Sequence, residues 1–531
     1  MDPANFRSQP SDTATPPVPL PDTTGVAPPV APSIEGAPPP APAAPAPPGE
    51  KPPWRAGRLE PMPIKKLPKA PPSVHILGPT VFLLALGVGI GESYQWPRLV
   101  LVFGPEIRWL FLVGVTLQAF VLLEMARYAM ATGESIFFGA ARVFKPLMWL
   151  FFITAMAVYI WPGHVSAGAG AFEEITGIPW NITATIGLLL VGVLISMAKV
   201  IYNVLEKILG LLIGTLVLGT SVVAAVVGSW GDLSAAITGM FHFGYFPDSM
   251  MTAAWFPTVV GACAFAGPSG MQQMWYTLHL RDSGAGMGAH IPRVRGLTHA
   301  AQEETVPARG FMFDTDDPEE MRKWKGWRTW ITFDALLLFW GITMLVTIAF
   351  TVIAAAAARD NTQVSQLLLQ ADDDQSAALQ AISNTLSSSA GAIIGTLFLG
   401  FIALIGLNAT LGLFDAFSRG QSDMTYFFIP GARRFRMSHI YAAFLWGVII
   451  FGIIILNFGP ADGPSAILDT LAFLSTFAMG AYCVVLLLVN NRMLPKPIRP
   501  GIVSNLAIAL GAVFYLGMLI FSIARFGVVV G

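Results

Sequence analysis

A single carboxylate, Glu92, stands in an otherwise apolar stretch directly after a run of alternating glycines, Gly87-Val88-Gly89-Ile90-Gly91. A second cluster, Gly267-Pro268-Ser269-Gly270, leads into a thioether and two amides, Met271, Gln272 and Gln273. Both clusters lie near the middle of stretches with the length and polarity of membrane helices. An ionised carboxylate at that depth costs roughly 2.5–3.5 kcal/mol on insertion scales, and each interior glycine costs about 1 kcal/mol relative to alanine. A lipid-facing anchor gains nothing from either. In lipid, unpaired backbone groups are tolerated only where protein or a cavity satisfies them, so a helix broken at mid-depth marks a binding site. One carboxylate, freed carbonyls, amide oxygens and a soft sulfur suit a divalent transition metal better than a hard ion such as Mg²⁺. Gly89, Glu92, Gly267, Met271, Gln272 and Gln273 are therefore the candidate binding residues. The plainer account of them is a glycine-lined packing seam, with Glu92 bonded to a neighbouring helix and Met271 filling core space.

The elements that must position these residues follow from composition. The chain has 531 residues, 54% of them hydrophobic and 12% charged, and a mean hydropathy of +0.62, which excludes an ordinary soluble domain. Eleven stretches are long enough to cross a bilayer: 76–103, 107–132, 146–166, 183–200, 206–229, 253–280, 328–357, 389–413, 439–458, 465–489 and 502–525. Cys263 and Cys483 fall inside these stretches as small apolar residues, so no disulfide or metal framework follows from them. With eleven spans and a cytoplasmic N-terminus, all of the 31 Lys and Arg residues except Arg98, Arg108, Arg359 and Arg525 fall on the cytoplasmic side. The positive-inside rule thus predicts a multi-pass plasma-membrane protein with its N-terminus inside and its C-terminus outside. The bilayer is the partner this composition requires, and nothing points to nucleic acid.

Residues 1–75 hold 23 of the 41 prolines, which predicts a disordered, polyproline-like cytoplasmic tail. It ends in Lys65-Lys66-Leu67-Pro68-Lys69, read as a solvated orienting flank. No signal peptide precedes residue 76, so the first span serves as its own insertion signal. In the cytoplasmic loop 281–328, Asp317-Pro318-Glu319-Glu320 has the order of an N-cap and first helical turn, predicting a short surface helix that leads into the seventh span. The outer loop 359–388 has helical patterning and a solvated acidic run, Asp372-Asp373-Asp374. The two glycine breaks lie five spans apart. Spans one to five (76–229) and six to ten (253–489) then form two repeats, each opening on a broken helix and inverted because five is odd. The eleventh span (502–525) is accessory. The predicted fold class is an all-α integral membrane protein of about 11 transmembrane helices within 76–525, a LeuT-like 5+5 inverted repeat.

The chain also resembles the Nramp family of proton-coupled divalent metal transporters, as a divergent member, over roughly residues 76–525. Gly78-Pro79-Thr80 followed by Gly89-Ile90-Gly91-Glu92 is similar to that family's G-P-G-F-L and D-P-G-N, and Gly267 to Tyr276 to its G-A-T-V-M-P-H-N-L-Y. Ala126-Arg127 through Thr132-Gly133, Gly177-Ile178-Pro179 and Leu205-Glu206 match further family positions in order. The resemblance implies a LeuT-like fold and transport of a Mn- or Fe-like cation. The departures fall on the chemistry: Gly89 stands at the family's metal-binding aspartate, Glu92 at its asparagine and Gln273 at its histidine, while Gly91 and Met271 are kept. At the family's proton-path acids stand Trp161 and His164, and its second sixth-helix histidine is displaced to His279. His164 and His279 are the candidates for a proton path, and the residues leave proton coupling open.

Glu124 and Arg127 have the spacing of a helical ion pair. In the eighth span, Asn408 and Thr410, followed by Asp415, are candidate pathway residues, as is Thr476, beside Ser475, in the tenth; helix-to-helix hydrogen bonding competes for the last two. The expected function is alternating-access movement of a divalent metal, the metal being cargo and no cofactor being implied. The alternative is a small organic cation or amino acid carried on the same fold. A non-transporting sensor ranks below these. No metal-ligand histidine pair or nucleophile with a base is found, so no enzyme is expected.

Overall fold

A computed structural model describes residues 51–71, 89–197, 214–215, 217–291, 309–360, 375–459 and 463–527. The proline-rich stretch 1–50, Gly78-Pro79-Thr80, Gly87, Leu205-Glu206 and the Asp372-Asp373-Asp374 run lie outside the described residues. The helices are α1 (Trp96–Phe103), α2 (Arg108–Thr132), α3 (Ile136–Val143), α4 (Pro146–Tyr159), α5 (Gly163–Thr176), α6 (Trp180–Ser196), α7 (Val217–Val227), α8 (Trp230–Thr238) and α9 (Phe256–Ala264). There follow α10 (Gln272–Asp282), α11 (Pro318–Phe333), α12 (Ile342–Asp360), α13 (Gln375–Ala390), α14 (Ala392–Phe428), α15 (Met437–Phe458), α16 (Pro464–Met493) and α17 (Ile502–Phe526).

Among the described residues, seven helical stretches are long and apolar enough to cross a membrane. The four remaining predicted spans are represented by shorter pieces: α1 after the first break, α6, α7, and the pair α9 and α10 on either side of the second break. Large apolar side chains such as Ile186, Leu218, Ile450 and Val513 are exposed on α6, α7, α15 and α17. On a multi-pass membrane protein these are the surfaces that lipid covers.

Two spans run past their predicted ends. The third continues through a kink at Pro162, which has no N–H to give the ladder, and α5 ends only at Gly177, with φ +70°. The eighth, α14, has 37 residues, about 55 Å at 1.5 Å per residue, longer than a bilayer core. Small residues set α5 against α14: a β-carbon at Gly168 would lie 3.1 Å from the Gly406 Cα, a close approach of the kind small residues allow in membrane helices. In the 281–328 segment, Asp317 does cap a helix, accepting from the Glu319 N–H at 2.8 Å. That helix leads into the seventh span, and it does so without interruption, from Pro318 through the π-helical turn Asp334–Gly341 into α12.

The disordered tail predicted to residue 75 needs correction over 51–71. This stretch lies as an extended strap across the basic end of the bundle. Trp54 pairs with Met62 within the strap, and Ile64 with Met312. Arg142 Nη1 donates to the Ala56 and Glu60 carbonyls at 2.9 and 3.0 Å, and Trp54 Nε1 donates to the Met493 carbonyl at 2.9 Å. The Leu67 N–H donates to Glu320 Oε2 at 2.5 Å and Trp327 Nε1 to the Pro68 carbonyl at 2.9 Å. Proline forbids a helix here but not docking of an extended segment whose carbonyls find donors and whose Met62 and Leu67 are buried.

Candidate functional site

The first break is visible from Gly89 onward. Gly91–Gln95 forms a π-helical turn that passes into α1. A β-carbon at Gly91 would lie 2.2 Å from the Phe265 carbonyl oxygen, so only glycine lets this turn press against the end of α9. The two breaks therefore meet. Glu92, at their junction, is 0% exposed. Its Oε2 accepts the Gly89 N–H at 3.0 Å, as the third-position glutamate of a capping box does. The Gly267 N–H of the second break faces the same carboxylate. Oε1 has no hydrogen-bond partner.

In the second break the chain leaves α9 at Ala264 and re-enters a helix at Gln272. Gly267 and Gly270 take φ +117° and +54° between them. A β-carbon at Gly270 would also lie 2.6 Å from the Tyr159 hydroxyl. That hydroxyl, from α4, donates to the Ser269 carbonyl at 3.2 Å and accepts the Met271 N–H at 3.0 Å. From the other side, Gln118 on α2 donates to the Ala264 carbonyl at 3.2 Å and accepts from Gln273 Nε2 at 3.2 Å. Two side chains thus brace the gap: Gln118 ties its two edges to α2, and Tyr159 ties the loop at Ser269 and Met271 to α4.

Met271 is fully buried at the N-terminal edge of α10. Gln272 and Gln273 stand in the first turn of α10 rather than in the break. Their amide nitrogens are used, on Ser269 Oγ at 3.1 Å and on Gln118, while both Oε1 atoms are buried without a partner. Not all the carbonyls near the breaks remain as ligands: those of Ala262 and Ala264 accept from Trp96 Nε1 and Gln118. Among the described residues no group of three or more His, Cys, Asp or Glu side chains is placed to hold a metal. What these residues offer a cation is one unpartnered carboxylate oxygen on Glu92 and the unpartnered amide oxygens of Gln272 and Gln273 at the start of α10.

The two proton-path candidates are not together. His164 is buried with its ring 5.4 Å from that of Phe265, beside the junction. His279 lies in the last turn of α10, near Asp282, Asp415 and Arg419. Thr410 donates to the Gly406 carbonyl of its own helix at 2.8 Å, and Thr476 to the Val260 carbonyl of α9 at 3.3 Å, so the second hydroxyl bridges two helices. Ser475 lies against Gly270. Asn408 is half-buried, on the helix whose Ile405 touches Gly89. Glu124 and Arg127 form a two-point ion pair at 2.7 and 2.9 Å. Asp415 pairs with Arg419 at 2.9 Å.

Toward the end of the bundle away from the strap lies a polar layer the sequence did not signal. Asp469 on α16 accepts from Gln95 at 2.8 Å, Thr258 at 3.2 Å and Arg98 at 3.4 Å. The Arg98 guanidinium also lies over the Trp255 ring at 4.7 Å. These contacts join α1, α9 and α16 about one to two turns beyond Glu92.

Solved structures share the fold of this chain. The manganese transporter of Eremococcus coleocola, in complex with an aromatic bis-isothiourea substituted compound, aligns with a TM-score of 0.55 at 13% identity, over 85% of this chain and 87% of the other. A mutant of that transporter aligns at 0.57 and 14% identity, over 87% and 90%. MhsT in complex with L-phenylalanine aligns at 0.51 and 12% identity, over 86% and 99%. The chain has the LeuT-like fold. No family model matches the sequence, and no curated protein does. The expected all-α, LeuT-like fold class is thereby met; among the described residues seven helices have the length and apolarity of a membrane span. Within the LeuT-like fold, Tyr159 and Gln118 are the residues that sequence reasoning missed; each is one polar side chain in an apolar helix, with no motif around it.

The Tyr159 brace makes a direct prediction. Tyr159→Phe removes one oxygen and leaves the Ser269 carbonyl and Met271 N–H to find other partners. Leaving a buried group unsatisfied costs about 1–3 kcal/mol. The thermal unfolding midpoint of the purified protein should fall accordingly, and an unchanged midpoint would show that the hydroxyl does not hold the loop.

Proposed function

We propose that this protein is a secondary transporter that carries a divalent metal cation of the Mn²⁺ or Fe²⁺ kind through alternating access to the junction of its two helix breaks. The observation that carries this reading is Glu92, buried at that junction with one carboxylate oxygen unpartnered. A buried charge is retained where a counter-charge visits it. Met271 supplies the softer donor, and the amide oxygens of Gln272 and Gln273 assist. The Asp469 layer on one side and the strap with its partners on the other are the contacts that must part in turn for the junction to open to each face. Charge placement supports a plasma-membrane protein with the N-terminus, and hence the strap, in the cytoplasm. Both manganese transporter structures carry the same fold, which agrees with the reading.

Calorimetry of the purified protein with a metal panel tests it. Mn²⁺ and Fe²⁺ should bind, Mg²⁺ and Ca²⁺ should bind far more weakly, and Met271→Ala should weaken the softer ions selectively, on the order of tenfold, or about 1.4 kcal/mol. A ranking indifferent to Met271 removes sulfur from the site. One observation favours a second cargo, a small organic cation or amino acid: the donor set has a single carboxylate beside a thioether and amides, and among the described residues there is no cluster of three His, Cys, Asp or Glu typical of a tight metal site. Stabilisation by an organic solute together with indifference to every metal decides for that alternative.

A further inference from the structure

Asp334 lies where the helix of the seventh span turns π-helical, at the start of Asp334–Gly341. It is 1% exposed, and neither of its carboxylate oxygens has a hydrogen-bond partner. Counted from Arg328 at 1.5 Å per residue, it is about 9 Å inside the span. Of the other acids described above in apolar helices, Glu124, Asp415 and Asp469 are ion-paired, and Glu92 accepts the Gly89 N–H on one oxygen. Asp334 is a buried acid at membrane depth that the protein leaves wholly unanswered. Burying an unpaired charge is among the most expensive arrangements a membrane protein can keep, and such acids are retained for function.

The surroundings narrow what can bind. The turn packs against α2, α11 and α12. The charged groups on those elements are engaged elsewhere: Glu124 and Arg127 with each other, Arg328 on the Leu123 carbonyl at 2.9 Å and near Glu124 at 3.8 Å, Arg108 on the Ala236 carbonyl, and Arg359 on Asp232. Glu319 and Glu320 pair with Lys323 near the start of α11, where Arg322 and Lys325 also stand. A metal or alkali ion needs several oxygens around it, and no second oxygen is bonded to Asp334. A proton needs one. One turn earlier, Trp330 Nε1 is buried without an acceptor, at the i, i+4 spacing that brings helix side chains together. It is a donor placed on the same face for the carboxylate once the proton has left.

The same turn reaches the second break. A β-carbon at Gly267 would lie 3.0 Å from the Phe339 ring, and Trp340 Nε1 donates to Thr116 Oγ1 of α2 at 3.2 Å. π-Helical turns inside α-helices are frequent at functional sites. We propose that Asp334 is a proton-binding site, and that its occupancy is transmitted to the second break through Asp334–Gly341 and the contact of Phe339 with Gly267. The carboxylate takes one proton on one oxygen and becomes a neutral acid; on release the anion turns to the Trp330 N–H. Coupling to cargo rests on the transport reading above, whereas proton binding itself does not.

The test uses the full chain in lipid vesicles. Infrared difference spectra taken between acid and alkaline buffer should show the C=O stretch of a buried protonated carboxyl. Asp334→Asn should delete that band, Asp334→Glu should shift it, and Glu92→Gln should leave it in place. A band that survives Asp334→Asn, or its absence from the wild type, overturns the proposal. In the same vesicles, Mn²⁺ accumulation should rise about tenfold per unit of inward pH gradient if one proton accompanies each ion. Asp334→Asn should lose that rise while keeping its Mn²⁺ affinity. A gradient response kept in Asp334→Asn overturns the coupling. No Mn²⁺ flux in the wild type with the infrared band assigned to Asp334 means that the transport reading fails and the proton site stands.

Discussion

Glu92→Gln should abolish saturable Mn²⁺ uptake into vesicles while leaving the unfolding midpoint of the protein close to that of the wild type. Glutamine keeps the volume of the side chain and a carbonyl oxygen, so the Gly89 N–H that bonds Glu92 at 3.0 Å still finds an acceptor. Glutamine also serves at the third position of a capping box. What the substitution removes is the negative charge, and with it the second oxygen's claim on a cation. Loss of an outer partner at a metal site typically costs 10–100-fold in affinity, and loss of the ligand's own charge costs more, so weakening on the order of 100-fold or above is expected. Glu92→Ala removes cap and charge together and should also destabilise, by about 0.5–2 kcal/mol for the cap. The pair of variants separates the two roles: a residue that only caps the half-helix gives full uptake in Glu92→Gln and a stability loss in Glu92→Ala.

The parts of this molecule that were legible in the sequence are those where one residue type can have only one physical consequence at that depth. Glycines in clusters cannot sustain a membrane helix unaided, so the second break could be placed at Gly267 to Gly270, while the first is described only from Gly89 onward, and the spacing of Glu124 and Arg127 permitted the pair they form. The LeuT-like fold followed from the spacing of the breaks. What the sequence hid depends on partners far along the chain. Tyr159 and Gln118 are ordinary polar residues until Ser269, Met271, Ala264 and Gln273 are brought against them. Asp469 becomes the centre of a layer only when α1 and α9 converge on α16. Asp334 sits near the start of a stretch scored as apolar on average, and its isolation is a fact about neighbours. Proline content averaged over 1–75 concealed the strap, since the few residues that anchor it, Trp54, Met62, Ile64 and Leu67, are a small minority of that window.

Arg142→Ala should be the most destabilising single substitution at the strap end of the bundle. The Arg142 guanidinium is fully buried and bonds Glu134 at two points, 2.7 and 2.6 Å, besides its two bonds to strap carbonyls. Burial works against this cation, and the Glu134 carboxylate more than offsets that, holding it above the usual arginine range. Glu134 in turn accepts from the Gly310 N–H at 2.8 Å and the Tyr128 hydroxyl at 2.8 Å. One ion pair thereby fixes α2, α3, the strap and the 309–313 segment to one another. Removing one member of a buried pair leaves the other charged and unanswered, which costs about 3–5 kcal/mol. The expected result is a large fall in the unfolding midpoint together with rapid proteolysis at Arg55 and Arg58, because strap carbonyls lose their donor. Glu134→Gln with Arg142→Met, which removes both charges and keeps approximate volume, should recover most of the stability but not the protease resistance, since the two bonds from Arg142 to the strap are still absent. Recovery of both in the double variant would mean that the strap is held by Trp54, Leu67 and Pro68 alone, with Arg142 serving only its own helix.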